Sequence, residues 1–230
     1  MLRRTLAATL GALAALATLP ALAAAEKATF KIDAVHSEVS FSIRHLVSKT
    51  SGKFDQFGGQ ITMDPDDPST IKIDGTIQTA SIDTNNDKRD GHLKSPDFFD
   101  AAKYPEITFK STKVTKAGDK WTLTGDLTMK GVTKPVTLDL AILGVSPTPV
   151  FGGVRVGLEA TGKINRKDWG VNWNNAVEGG GTLLGDDVDL TLRAEAVNAI
   201  EKADAMKPAK SEKEEKEEKE REAKEKAGKD

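Results

Sequence analysis

DAVHSEVSFSIRHL, residues 33–46, carries the clearest structural signal in this chain. From Val39 to Ile43 it alternates, with Val39, Phe41 and Ile43 on one side and Ser40 and Ser42 on the other. Successive side chains of a strand point to opposite faces, so the segment reads as a strand with one apolar and one wet face. Two histidines bracket it, His36 before and His45 after. A barrel built from many such strands holds either a packed core or an oily ligand. Which of the two applies is the functional question.

The same period of two runs outward from Thr29 to about Val197. Further strands are expected at Gly59 to Met63, Ile71 to Ile77, Ile107 to Val114 and Trp121 to Met129, and at Val136 to Leu143, Val154 to Lys163 and Val188 to Ala196. Turn residues separate them: Asp64-Pro65-Asp66-Asp67-Pro68, Ala117-Gly118-Asp119, Lys130-Gly131 and Ser146-Pro147-Thr148-Pro149. Lys-Gly is a weaker hairpin signal than Asn-Gly. Many short antiparallel strands at near-regular spacing predict an all-β sandwich or barrel. One interval breaks the pattern. TNNDKRDGHLK, residues 84–94, predicts a short helix, followed by the apolar anchor Phe98-Phe99 before Tyr104-Pro105. Such an insertion caps a barrel end or makes a surface excursion.

The two ends of the chain differ from its middle. Arg3 and Arg4 precede an apolar run from Leu6 to Leu19, then Pro20 and a small-residue stretch to Ala25. This is the pattern of a secretory signal peptide over residues 1–25, with cleavage near Ala23 or Ala25. The apolar run falls short of the ~20 residues that span a bilayer. General secretion fits better than twin-arginine export, and the expected location is the periplasm or outside the cell. Residues 198–230 are rich in Glu and Lys without an apolar stripe, which predicts a solvated tail, disordered or partly helical. One domain is left, residues 26–197.

No cysteine occurs among the 230 residues, so disulfides, thiol chemistry and thiolate metal sites are excluded. A net charge of −2 points to no nucleic-acid partner. Three histidines, His36, His45 and His92, could hold a zinc with an open position. They have no H-x-H or H-E-x-x-H spacing, and one strand holds His36 and His45 apart, so no metal is expected. No G-x-S-x-G is present, and no catalytic residue is nominated. Asp83, Asp87, Asp90, Asp97 and Asp100 are interleaved with Lys88, Arg89 and Lys94, which reads as a solvated surface with Arg89 and Asp90 as a structural ion pair. Gly179-Gly180-Gly181 leads into a strand rather than a helix, so it is a connection and not a phosphate cradle. Trp169 and Trp173 in KDWGVNW close one end of the core or stack on a ligand.

What is left is the apolar face itself. The inward rows expected to border the interior are Val39, Phe41 and Ile43 on the first strand, then Ile61, Ile73, Ile107 and Phe109. They continue through Leu123, Leu127, Leu138 and Leu140 to Val156, Leu158 and Leu190. An eight-stranded barrel fills its interior with side chains or holds one small ligand, and the pattern alone does not choose.

Taken in order, DAVHSEVSFSIRHL, GKFDQFGGQI, ASIDTNNDKRDGHLKSPDFFDAAKYPEITFKS and GDLTMKGVTKPV resemble the YceI-like family of lipocalin-like bacterial polyisoprenoid-binding proteins. The resemblance covers about Thr29 to Val197 and includes His36, Ser37, His45, Arg89, Asp90, His92, Phe98, Phe99 and Pro105. It implies an extended eight-stranded antiparallel barrel with a short helical segment at one end. It also implies a non-enzymatic function without a cofactor: holding an isoprenoid lipid, a polyprenyl phosphate or a quinone tail, for transport, storage or stress response. A protein handling such a lipid is further expected to touch membranes transiently. Each buried CH₂ contributes ~0.8 kcal/mol, so ten to fifteen ligand carbons give roughly 8–12 kcal/mol before ordering costs. Arg44 and His45, at a strand end beside the apolar row, are the candidates for contact with a head group. The alternatives are a histidine-metal enzyme acting on a lipid-like substrate, which needs at least two of His36, His45 and His92 to converge, and an interaction protein with a filled barrel.

Overall fold

The computed structural model describes residues 27–146, 153–178 and 180–199. The expected signal peptide, the charged tail, Gly179 and most of the Ser146–Pro149 turn lie outside the described residues. Among the described residues there are eleven strands: β1 (Ala28–Ile32), β2 (Glu38–His45), β3 (Ser48–Phe54), β4 (Phe57–Asp64), β5 (Asp67–Gln78), β6 (Ile82–Asp83), β7 (Glu106–Ala117), β8 (Lys120–Met129), β9 (Val132–Val145), β10 (Gly153–Asn165) and β11 (Leu184–Ala199). One α-helix, α1 (Asp87–Lys94), lies between β6 and β7.

These strands close into an eight-stranded antiparallel barrel. The two counts are reconciled by three interruptions. β1 and β2 lie end to end along one edge of β11: Ile32 pairs with Ala196, and Glu38 with Arg193. β4 and β3 in turn continue beside β1 and β2, and β5 and β6 beside β4 and β3. Three long strands are therefore each broken once, at 33–37, 55–56 and 79–81. The remaining five run as single strands and complete the ring through β11 and β1.

The break between β1 and β2 has a local cause. The Asp33 carboxylate accepts the Val35 backbone N–H at 3.1 Å and starts a single 3₁₀ turn. Ser37 then ties the detour to β11, its hydroxyl donating to the Glu195 carbonyl and accepting the Glu195 N–H at 3.0 Å. The expected helix forms over Asp87–Lys94, and the Asn86 side chain caps it by accepting the Arg89 N–H at 3.0 Å. Lys130-Gly131 makes the expected two-residue hairpin, with φ of 50° and 76° and Met129 paired to Val132.

The expected strands all form, most of them longer than the alternation suggested. Three strands fall outside those expected: β1, β6 and, longest of them, β3. Its sequence, SKTSGKF, has little apolar signal because Gly52 stands where a side chain would meet the Phe41 ring. A Cβ there would lie 2.5 Å from Phe41 Cζ.

Apolar packing divides into two clusters. One fills the end that carries the Asp64–Asp67 and Ala117–Lys120 turns. Phe30, Ile61, Met63, Leu123 and Val156 are each no more than 1% exposed there. The other surrounds Phe54, Ile82, Ile107 and Trp169 near α1, and several of its members, Phe41, Leu93 and Phe99 among them, are only partly buried. Full burial of one such side chain contributes ~1.5–3 kcal/mol.

Candidate functional site

The incompletely buried cluster borders a cavity of about 600 Å³ that extends from the barrel interior to the α1 end. Small residues open the space: Gly58, Gly75, Ala160 and Ala194 all border it. Aromatic rings lie across glycines of neighbouring strands, Phe41 over Gly52 and Phe109 over Gly125. The wall is therefore largely apolar, with Ser37, Glu38 and Arg193 on it at the β1–β2 break and a larger set of polar groups at the α1 end.

That end is built by α1 and by residues 166–173. Thr84 fastens the helix. Its hydroxyl accepts from Arg89 Nε at 2.7 Å and donates to the buried Asp90 carboxylate, which also accepts the Thr84 N–H at 3.0 Å. Arg89 Nη2 donates to the Thr84 carbonyl at 2.6 Å. The expected Arg89–Asp90 ion pair is thus replaced by a shared grip on Thr84, since consecutive helix residues do not face each other. On the opposite side, Arg166 is 4% exposed and donates to the carbonyls of Gly185, Val171 and Trp173 at 2.9, 2.7 and 2.9 Å. Burial pushes its guanidinium pKa down, against the attraction of Asp186. Trp169 is buried and donates its indole N–H to the Leu127 carbonyl at 3.0 Å, closing the core. Trp173 borders the cavity and packs edge-on against His92, with centroids 4.9 Å apart, and tilted against Phe98 at 5.2 Å. The two tryptophans divide the roles considered for them: Trp169 closes the core, and Trp173 stands at the cavity.

The residues expected from the alternation border this cavity with one exception. Val39, Phe41 and Ile43 do so together with Ile61, Ile73, Ile107 and Phe109. Leu123, Leu127, Leu138, Leu140, Leu158 and Leu190 complete the row. Val156 does not; it is 0% exposed inside the packed cluster, because β10 begins at the filled end. Of the two head-group candidates, His45 borders the cavity and Arg44 does not. Arg44 alternates outward, where Nη1 donates to the carbonyls of Leu46 and Thr182 at 3.2 and 3.3 Å. The alternation could not reveal Lys88, Arg89 and His92 of α1, or Arg166 and Trp173, which reach the wall from irregular segments. Their one sequence signal is the aromatic run in KDWGVNW and around Phe98.

The three histidines do not come together. His36 sits at the β1–β2 break with its Nδ1 2.9 Å from Asp33 Oδ2, His45 ends β2, and His92 pairs with Asp97 at 2.9 Å. Asp33, His36 and Glu195 do form a compact group, with one ligand-type atom of each within 4.8 Å of the others. A cation from the chain already occupies it. Arg155 Nη1 lies 3.2 Å from Asp33 Oδ2 and pairs with Glu195. Hydrogen bonds from His36 and then from Arg155 hold the Asp33 carboxyl at a pKa of about 2. Among the described residues the only carboxylate on the cavity wall is Glu38, paired with Arg193 at 3.3 Å.

A closed antiparallel barrel around an apolar cavity, with cationic and aromatic groups at one end, is the architecture these residues define. The chain belongs to the YceI-like family, whose domain model matches residues 30–196. It is 45% identical over 167 residues to a UPF0312 protein of Staphylococcus aureus (strain MSSA476), covering 72% of this chain and 95% of that one. Among solved structures it resembles the Campylobacter jejuni YceI protein at 36% identity with a TM-score of 0.60, over 68% of this chain and 90% of that one. It also resembles Burkholderia cenocepacia BcnA at 26% identity with a TM-score of 0.61, over 72% and 99%. A polyisoprenoid binding domain from Saccharophagus degradans shares the fold at 16% identity with a TM-score of 0.56, over 75% and 99%.

Proposed function

We propose that this protein is an exported, non-enzymatic barrel that holds a polyisoprenoid in its interior. The observation that carries the reading is the apolar cavity, about 600 Å³ and walled by the alternating rows. This lies within the 300–1,000 Å³ of typical ligand sites. Membership of the YceI-like family and the polyisoprenoid-binding neighbour support the choice of lipid. The isoprenoid chain lies among Phe41, Phe109, Leu138 and Leu190. Its head group, a phosphate or a quinone ring, sits at the α1 end among Asn86, Lys88, Arg89 and His92, with His45 bordering the same cavity. Carriage or storage of the lipid outside the cytoplasm follows from the leader-like residues 1–25. A binding role fits better than a histidine-metal enzyme because the group of metal-ligand type found among the described residues, Asp33, His36 and Glu195, has a single histidine and is held by Arg155.

Organic extraction of the purified protein followed by mass spectrometry tests this reading. The expected result is a co-purified isoprenoid that rebinds after removal. A delipidated protein that takes up no isoprenyl phosphate and no isoprenoid quinone would sink it.

A further inference from the structure

The hairpin between β2 and β3 ends in a two-residue turn, Leu46-Val47, closed by the His45–Ser48 pair. Leu46 is 42% exposed and Val47 103%. Leu46 also has φ of 52°, a left-handed conformation that bulky residues rarely adopt. Two-residue hairpin turns ordinarily carry glycine, asparagine or aspartate, and Lys130-Gly131 shows this barrel using glycine in such a turn. At 46–47 two aliphatic side chains instead stand in solvent, one of them on a strained backbone. Neither contributes to either apolar cluster.

The surroundings of the tip indicate what it fits. Residues 44–49, RHLVSK, carry Arg44 and Lys49 and no acid. Lys49 is anchored to Asp189 of β11 at 2.7 Å, and Arg44 braces the turn through the Leu46 and Thr182 carbonyls. The Leu46 N–H donates to the Leu183 carbonyl at 2.9 Å, and both Leu183 and the adjacent His45 border the cavity. An apolar point beside Arg44, whose charge meets no carboxylate among the described residues, and fixed to the cavity rim matches a lipid bilayer with anionic head groups: aliphatic side chains enter the interface while the arginine meets the lipid charge.

We propose that the Leu46-Val47 tip is a membrane-docking element that sets the cavity rim against an anionic bilayer. The proposal rests on the lipid-holding reading above for its purpose, though not for its test. The experiment compares the wild-type protein with a Leu46→Gly, Val47→Asn double variant in flotation with phosphatidylcholine vesicles, with and without phosphatidylglycerol. Glycine adopts the Leu46 φ without strain, so the variant folds with an equal or higher melting temperature. Wild-type protein floats preferentially with the mixed vesicles, and the variant loses roughly tenfold or more of that partition, as expected for two aliphatic side chains leaving an apolar phase. Equal flotation of both proteins overturns the proposal. So does a wild-type dimer that the variant converts to a monomer, because a second copy then covers the tip. Uptake of a fluorescent farnesyl compound in vesicle-free buffer separates the two readings. Equal uptake by both proteins with unequal flotation upholds docking. No uptake by either protein sinks the cavity reading, while unequal flotation still upholds the tip.

Discussion

The two ends of this barrel are made by the same alternation of apolar and polar residues, yet one is solid and the other hollow. At the solid end Phe30, Met63 and Val156 are at most 1% exposed and belong to one packed cluster. At the hollow end Gly58 and Gly75 stand along the wall, and Phe41 and Phe109 lie over glycines of neighbouring strands. The difference lies in side-chain volume and ring direction. Alternation says which way a residue faces; it does not say whether the space in front of it is filled.

Truncation at the solid end should be the most costly change. Met63→Ala is expected to lower unfolding free energy by ~2–5 kcal/mol while leaving ligand uptake by the remaining folded protein unchanged. Urea titration and a binding assay on one sample check both parts. Loosening α1 comes next. Thr84→Val leaves the Asp90 carboxylate without its hydroxyl donor and removes the acceptor of Arg89 Nε, at a cost of ~1–3 kcal/mol. Faster amide exchange across residues 87–94 than in β8 would register it.

Filling the cavity where its wall meets the packed cluster should do the reverse of Met63→Ala. Ala194→Phe is expected to weaken isoprenoid binding by about tenfold or more, with stability altered by under ~3 kcal/mol. Unimpaired binding would show that the ligand lies elsewhere.

The smallest effect belongs to the break between the two ends. Asp33 has its carboxyl pKa lowered from 3.8 to about 2, so its contribution is fully present above pH 3.8 and is lost as pH falls through 2. Asp33→Asn should flatten the stability profile within that window and lower stability at neutral pH. Acid titrations of both proteins followed by circular dichroism measure it.

The β2 stretch announced both the barrel and much of the cavity wall, because inward residues on an antiparallel strand are fixed by period two. The sequence was less informative wherever function leaves regular structure. Arg166 looks like any surface arginine in NRKDWG, and only the fold buries it under three carbonyls. Arg89 and His92 reach the wall because Thr84 pins α1 in place, a contact that no periodicity encodes. β3 was invisible because its glycine accommodates a neighbour's ring. Arg44 was misleading for the opposite reason: adjacency in sequence to a wall residue places it on the far face of the strand. The split between packed and hollow halves depends on summed volumes across eight strands, which no single segment contains.

The solid end also has a consequence for length. Its side chains form a floor, and a strand rises ~3.3 Å per residue, so moving that floor by one inward pair changes the depth of the barrel by roughly 7 Å. Leu140 and Leu158, which belong to that packed cluster and border the cavity, thereby act as the stop of a gauge. A linear occupant that reaches them must leave any further units outside the rim, and substitutions at the stop would select for longer or shorter chains without touching the head-group end.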